Sequence, residues 1–66
     1  MSNIQLWSCT FEDSNEVLYR CYDPKTCRVG FASLTPEGAY ENFENRTTFK
    51  RCYRSMLMSE GFNLVE

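Results

Sequence analysis

An α+β fold is expected from three observations on this chain. Apolar and polar residues alternate through two early segments and recur in a third extended run. Clusters of turn-forming residues separate these runs. From Thr35 onward the apolar spacing changes to that of a helix. The architecture they predict is a three-stranded antiparallel β-meander followed by one kinked or two consecutive helices packed on one face. A single domain is expected to take in residues 1–66, because 66 residues leave room for one core only.

The first strand is read over residues 4–11, with Trp7, Cys9 and Phe11 on one face and Ile4 and Leu6 on the other. Residues 16–22 repeat the pattern, Val17, Tyr19 and Cys21 alternating with Leu18 and Tyr22. Between them Glu12-Asp13-Ser14-Asn15 supplies turn chemistry, and Asn15 tolerates the left-handed conformation that closes a three-residue loop. An odd loop keeps the two apolar faces together. Asp23-Pro24-Lys25-Thr26 gives the next reversal and leads into the run from Cys27 to Leu34. A two-residue loop there would place Arg28 with Cys21 and Val17. A three-residue loop aligns Cys27, Val29 and Phe31 with Cys21, Tyr19 and Val17 and is preferred.

Thr35-Pro36-Glu37 reads as a helix start, with the threonine hydroxyl as cap and proline where no N–H is needed. Ala39, Tyr40 and Phe43 share one face of that helix. Phe49, Cys52, Tyr53, Met56 and Leu57 fall at i, i+3, i+4, i+7 and i+8 of another, ending at Gly61. The two apolar stripes are offset by roughly a third of a turn, so a break is placed near residues 45–48. Residues 62–66 either add a short C-terminal strand or pack as a tail.

So small a core needs nearly every large apolar side chain, and the five Phe, four Tyr and one Trp are read first as core. Seven basic residues stand against nine acidic ones, for a net charge of −2, and histidine is absent. That balance disfavours general nucleic-acid binding, which calls for a basic excess. The amino-terminal residues have neither a charged nor an apolar leader segment, and no apolar run is long enough to span a bilayer, so a cytoplasmic location without membrane association is expected. Asn45-Arg46-Thr47 matches a glycosylation acceptor that a cytoplasmic chain leaves unused.

Cys9, Cys21, Cys27 and Cys52 are expected to point at one interior face. Zinc normally draws two ligands from a C-x-x-C knuckle, and none occurs, so no metal is expected. The preferred register sets Cys21 across from Cys27, where a bridge is sterically feasible, but a reducing compartment favours buried free thiols. Catalysis lacks its usual base, because there is no histidine to activate a Ser or Cys nucleophile. Glu37 and Glu41 read as a solvated pair rather than as an acid and a base. No Gly-rich phosphate loop occurs among Gly30, Gly38 and Gly61. Neither enzyme activity nor a cofactor is expected.

Charge is more informative. Glu37, Glu41 and Glu44 make an acidic stripe on the first helix, and Lys50, Arg51 and Arg54 a basic one on the second. Ile4, Leu6, Leu18, Tyr22, Ala32 and Leu34 are expected on the sheet face away from the helices, covered by the tail, exposed, or met by a second copy in a homodimer. The function expected is a small non-enzymatic protein-binding module, an adaptor or inhibitor of a larger cellular machine. Small phage-encoded modulators have this general character, by analogy alone. Its contact residues are expected to be Lys50, Arg51 and Arg54 for charge, with Leu18, Tyr22 and Leu34 for apolar contact. The alternative is a single-stranded nucleic-acid-binding protein that uses exposed aromatics beside the basic helix face.

Overall fold

Two loops of equal length set the sheet. In the computed structural model, which describes residues 3–50 and 53–65, β1 (Gln5–Phe11) and β2 (Glu16–Asp23) pair antiparallel with Phe11 opposite Glu16. Asn15 closes the intervening loop at φ 57°, its N–H donating to the Phe11 carbonyl at 3.0 Å. Asp23 in turn faces Arg28 of β3 (Arg28–Gly30), and Cys27 closes that loop in the same way, at φ 61° with its N–H 2.8 Å from the Asp23 carbonyl.

Each loop therefore contains four residues, 12–15 and 24–27, where three were expected. One extra residue reverses the faces, because side chains alternate with period two. Cys9 lies opposite Leu18 and Leu6 opposite Cys21. Trp7 and Cys9 thus share a face with Leu18, Arg20, Tyr22 and Val29, while Leu6 shares the other with Tyr19 and Cys21. The expected common face for the cysteines is overturned by this register. Cys27 belongs to the turn rather than facing Cys21, and Cys52 lies outside the described residues.

Past Gly30 the ladder resumes when Tyr19 and Ser33 exchange backbone hydrogen bonds of 2.8 and 2.9 Å. Three steps along β2 from Tyr22 to Tyr19 answer four from Val29 to Ser33, so one residue bulges out. Arg20 Nε donates to the Gly30 carbonyl at 3.0 Å beside this bulge.

α1 (Pro36–Asn45) begins as its sequence signals: Thr35 is the cap, its Oγ1 accepting from the Gly38 N–H at 3.0 Å, and Pro36 occupies the first turn. At its far end the Arg46 N–H donates to the Asn42 carbonyl. The chain then forms β4 (Thr47–Phe49), a strand where only a helix break was expected. Two β-branched residues and an aromatic suit an extended backbone, and β4 pairs with β3 through Gly30–Thr47 and Arg28–Phe49. α2 (Tyr53–Ser59) ends where Gly61 adopts φ 91°. Phe62 N–H bonds to the Leu57 carbonyl at 2.9 Å and Gly61 N–H to that of Met58 at 3.1 Å, which satisfies two free carbonyls of the last turn. β5 (Asn63–Leu64) then pairs with β1. The short C-terminal strand is thus the fate adopted by the tail.

The result is a five-stranded antiparallel sheet in the order β4-β3-β2-β1-β5, not a three-stranded meander. The helices lie on opposite faces, not on one. α1 covers Leu6 and Cys21 with Ala39 and Phe43, and α2 covers Trp7, Cys9, Tyr22 and Val29 with Tyr53 and Leu57, Phe62 completing that side. The offset between the two apolar stripes is thereby resolved: β4, on the sheet edge, carries the chain from one face to the other. Of the stripe expected on the second helix, Tyr53 and Leu57 are buried, Met56 is exposed and Phe49 belongs to β4.

Candidate functional site

α2 and the adjoining edge of β1 and β5 enclose a groove of about 280 Å³. Trp7 and Phe62, both buried, supply its apolar floor, and the exposed side chains of Arg54, Met58 and Leu64 form its walls with Asn63. Each is positioned by an element already described. Trp7 faces this side through the β1 register and is opposite Leu64 in the neighbouring strand. Its indole N–H donates to Gln5 Oε1 at 3.2 Å, so the ring enters the floor with its polar atom partnered. Phe62 is set by the bond that closes α2.

The strand beside the groove is the last in the sheet. Val65 N–H donates to the Leu6 carbonyl at 2.7 Å, and in an antiparallel ladder the intervening Leu64 turns its N–H and C=O the other way, out from the sheet. Apolar floor, the Arg54 cation and outward-turned backbone therefore occur together. Such an arrangement can take an apolar side chain, a carboxylate and an extended backbone at once.

The sequence-predicted contact residues do not assemble as one surface. Arg54 is exposed and lines the groove. Lys50 is exposed but precedes α2, its N–H bonded to the Cys27 carbonyl at 2.8 Å, and Arg51 lies outside the described residues. Tyr22 is 3% exposed, a core residue whose ring centroid is 6.0 Å from that of Tyr53. It is not on an open sheet face, because α2 covers that face. Leu18 is half-buried against the same core, and Leu34 is well exposed. Ile4 and Leu6 pack under α1 on the opposite side. The single outer apolar face expected from the meander is thus split: Leu18 and Tyr22 join one core, Ile4 and Leu6 the other, and Ala32 and Leu34 stay exposed.

Trp7, Met58, Phe62 and Leu64 are not among the contact residues expected from the sequence. Met58 carried a usable signal: it follows Leu57 directly, out of phase with the buried Tyr53–Leu57 stripe, and an apolar residue there has to face outward.

No protein-family model, curated protein or solved structure matches this chain.

Cys9 and Cys21 are both shielded from solvent. Cys9 is buried beside the end of α2, its Sγ 3.7 Å from the Glu60 carbonyl, and Cys21 is wholly buried under α1. Burial pushes the Cys21 thiol up from 9.0 to about 11, away from the thiolate form that a nucleophile requires. Among the described residues no group of three or more His, Cys, Asp or Glu could hold a metal ion, and no helix is long and apolar enough to cross a membrane.

Proposed function

We propose that this chain is a small non-enzymatic protein-binding module, an adaptor or inhibitor that occupies a site on a larger cellular machine. The observation that carries the reading is the groove between α2 and β5, where Arg54 and Met58 stand over the Trp7–Phe62 floor beside the outward-turned backbone of Leu64. An extended partner segment with an apolar side chain and a nearby carboxylate fits all three features. The apolar side chain supplies an anchor, Arg54 steers the acid, and the backbone adds a strand.

Capture from a cytosolic lysate tests this, run with and without nuclease on the native chain and on Arg54→Glu and Met58→Asp variants. A discrete protein partner that survives nuclease and is lost from both variants, at unchanged Tm, is the expected result. Retention equal on all three proteins would remove the groove from the reading.

A second reading, single-stranded nucleic-acid binding, is favoured by one feature of the opposite sheet edge. There Arg28, Arg46 and Lys50 accompany the exposed rings of Phe31 and Phe49, and the Arg46 guanidinium is 5.9 Å from the Phe31 ring centroid. The net charge of −2 weighs against it. Material lost on nuclease treatment in the same experiment would favour it over the protein partner.

A further inference from the structure

The groove beside β5 has a direction built into it. At the start of α2 the Tyr53 ring centroid lies 6.0 Å from that of Tyr22, which pairs with Gln5 at the start of β1. At the far end of the helix the Glu60 carbonyl is 3.7 Å from Cys9 Sγ, further along β1. α2 therefore follows the direction of β1, and β5, antiparallel to β1, runs against both. Arg54 and Met58 stand one above the other on the groove wall, with Arg54 about 6 Å nearer the helix start.

Leu64 fixes where a further strand joins. It is opposite Trp7, so its side chain is on the groove side of the sheet, while its N–H and C=O point away from β1. An antiparallel neighbour satisfies both groups with one residue, whose side chain then lies beside that of Leu64 at the Trp7–Phe62 floor. A parallel neighbour has to engage them with two different residues, and every ladder among the described strands is antiparallel.

We propose that the groove reads its partner in one direction, as an antiparallel strand with an acidic residue two positions before a large apolar one. This rests on the protein-binding reading above and adds to it the order and spacing of the recognised residues. A strand joined antiparallel to β5 runs the same way as α2, so its earlier residues lie toward Arg54 and its later ones toward Met58. Residues two apart in a strand share a face and are separated by about 7 Å, close to the axial step between Arg54 and Met58. With the apolar side chain beside Leu64 and Met58, a carboxylate two positions earlier reaches Arg54. The reverse order sets the carboxylate against Phe62 and Met58 and leaves Arg54 without an acid. A basic residue in the acid's place meets Arg54 with like charge. Backbone pairing is common to all such strands, and the two side chains select the order.

Trp7 is the chain's one tryptophan and forms part of the groove floor, so its emission reports occupancy directly. The test is a fluorescence titration of the full chain with two blocked seven-residue peptides of identical composition. Both are threonine apart from a central leucine and one glutamate, placed two residues before the leucine in one peptide and two residues after it in the other. The Glu-before-Leu peptide is expected to bind at least tenfold more tightly. N-methylation of its leucine, which removes the N–H aimed at the Leu64 carbonyl, should weaken it at least tenfold. Arg54→Glu should abolish the preference at unchanged Tm, and replacing the peptide's glutamate with lysine should restore binding to that variant. Equal affinity for the two orders overturns the proposal, as does preference for Glu after Leu, indifference to N-methylation, or no response to either peptide. A change in Trp7 emission on concentrating the chain alone assigns the groove to a second copy and overturns it as well. Lysate capture that is lost from Arg54→Glu and Met58→Asp while peptide order has no effect removes the strand order and leaves the protein-binding reading standing. Capture indifferent to both substitutions removes that reading too.

Discussion

Asn15 and Cys27 occupy equivalent places in two loops of the same form, each left-handed and each bonded back to the last residue of the preceding strand. Asparagine tolerates that backbone through its short polar side chain, whereas most other side chains crowd it. Cys27→Asn is therefore expected to stabilise the domain by about 0.5–1 kcal/mol, seen as a higher urea midpoint with unchanged slope. A lower midpoint would mean that the thiol supplies more than the left-handed geometry costs. Cys21 sets a second residue-level expectation. Burial makes the folded chain hold this thiol's proton more tightly, raising its pKa from 9.0 to about 11. Its contribution to stability is thus fully present below pH 9.0 and is lost as the pH climbs through about 11. Brief alkylation of the folded chain just below pH 9.0 should modify half-buried Cys27 before Cys21, as peptide mass mapping would read. Equal rates would show that the cover of α1 opens readily.

Within the elements, two glycines are required for different physical reasons. At Gly30 a Cβ would stand 3.1 Å from the backbone N and Cα of Phe43, so α1 must shift away from β3. Gly30→Ala is expected to cost about 1–3 kcal/mol, as overpacking does. At Gly61 the nearest atom is Cys9 Sγ at 3.7 Å, so there is room, and the obstacle is the backbone at φ 91°. Gly61→Ala should cost about 1 kcal/mol, and Gly61→Asn less, because asparagine accepts a left-handed helix end. Chemical denaturation of the three variants separates the causes. If Gly61→Asn is no better than Gly61→Ala, the backbone explanation at that position fails.

For the molecule as a whole, the sheet is packed from both sides, yet each side has few buried side chains. Leu57 is fully buried in the cluster beneath α2, whereas its neighbour Met58 is 61% exposed on the groove wall. Leu57→Ala is expected to cost about 2–5 kcal/mol, which matches the whole of the roughly 3–5 kcal/mol that a core of this size supplies. That variant should be largely unfolded at room temperature by circular dichroism. Met58→Ala should stay within about 0.5 kcal/mol of the native chain. A cooperative, native-like melt for Leu57→Ala would mean that the α1 side alone sustains the sheet.

Much of this structure was legible one segment at a time. Thr35 and Pro36 marked the start of α1, Gly61 the end of α2, and Asn15 a left-handed turn, because caps and turns depend on residues within a few positions of one another. Alternation in β1 and β2 was visible for the same reason. The candidate groove was barely legible: Arg54 was among the expected contacts, but the Trp7–Phe62 floor joins residues from opposite ends of the chain. Loop length was not legible either, since Glu12-Asp13-Ser14-Asn15 suits three residues as well as four. On that single residue depends which side chains share a face with Trp7, and hence whether Tyr22 is a surface contact or core. The sequence by itself determined the α+β class, the early strands, the capped helix and the glycine stop. Tertiary structure alone decided the register, the edge strands and the placement of one helix on each face, because those choices depend on burying apolar surface between segments distant along the chain.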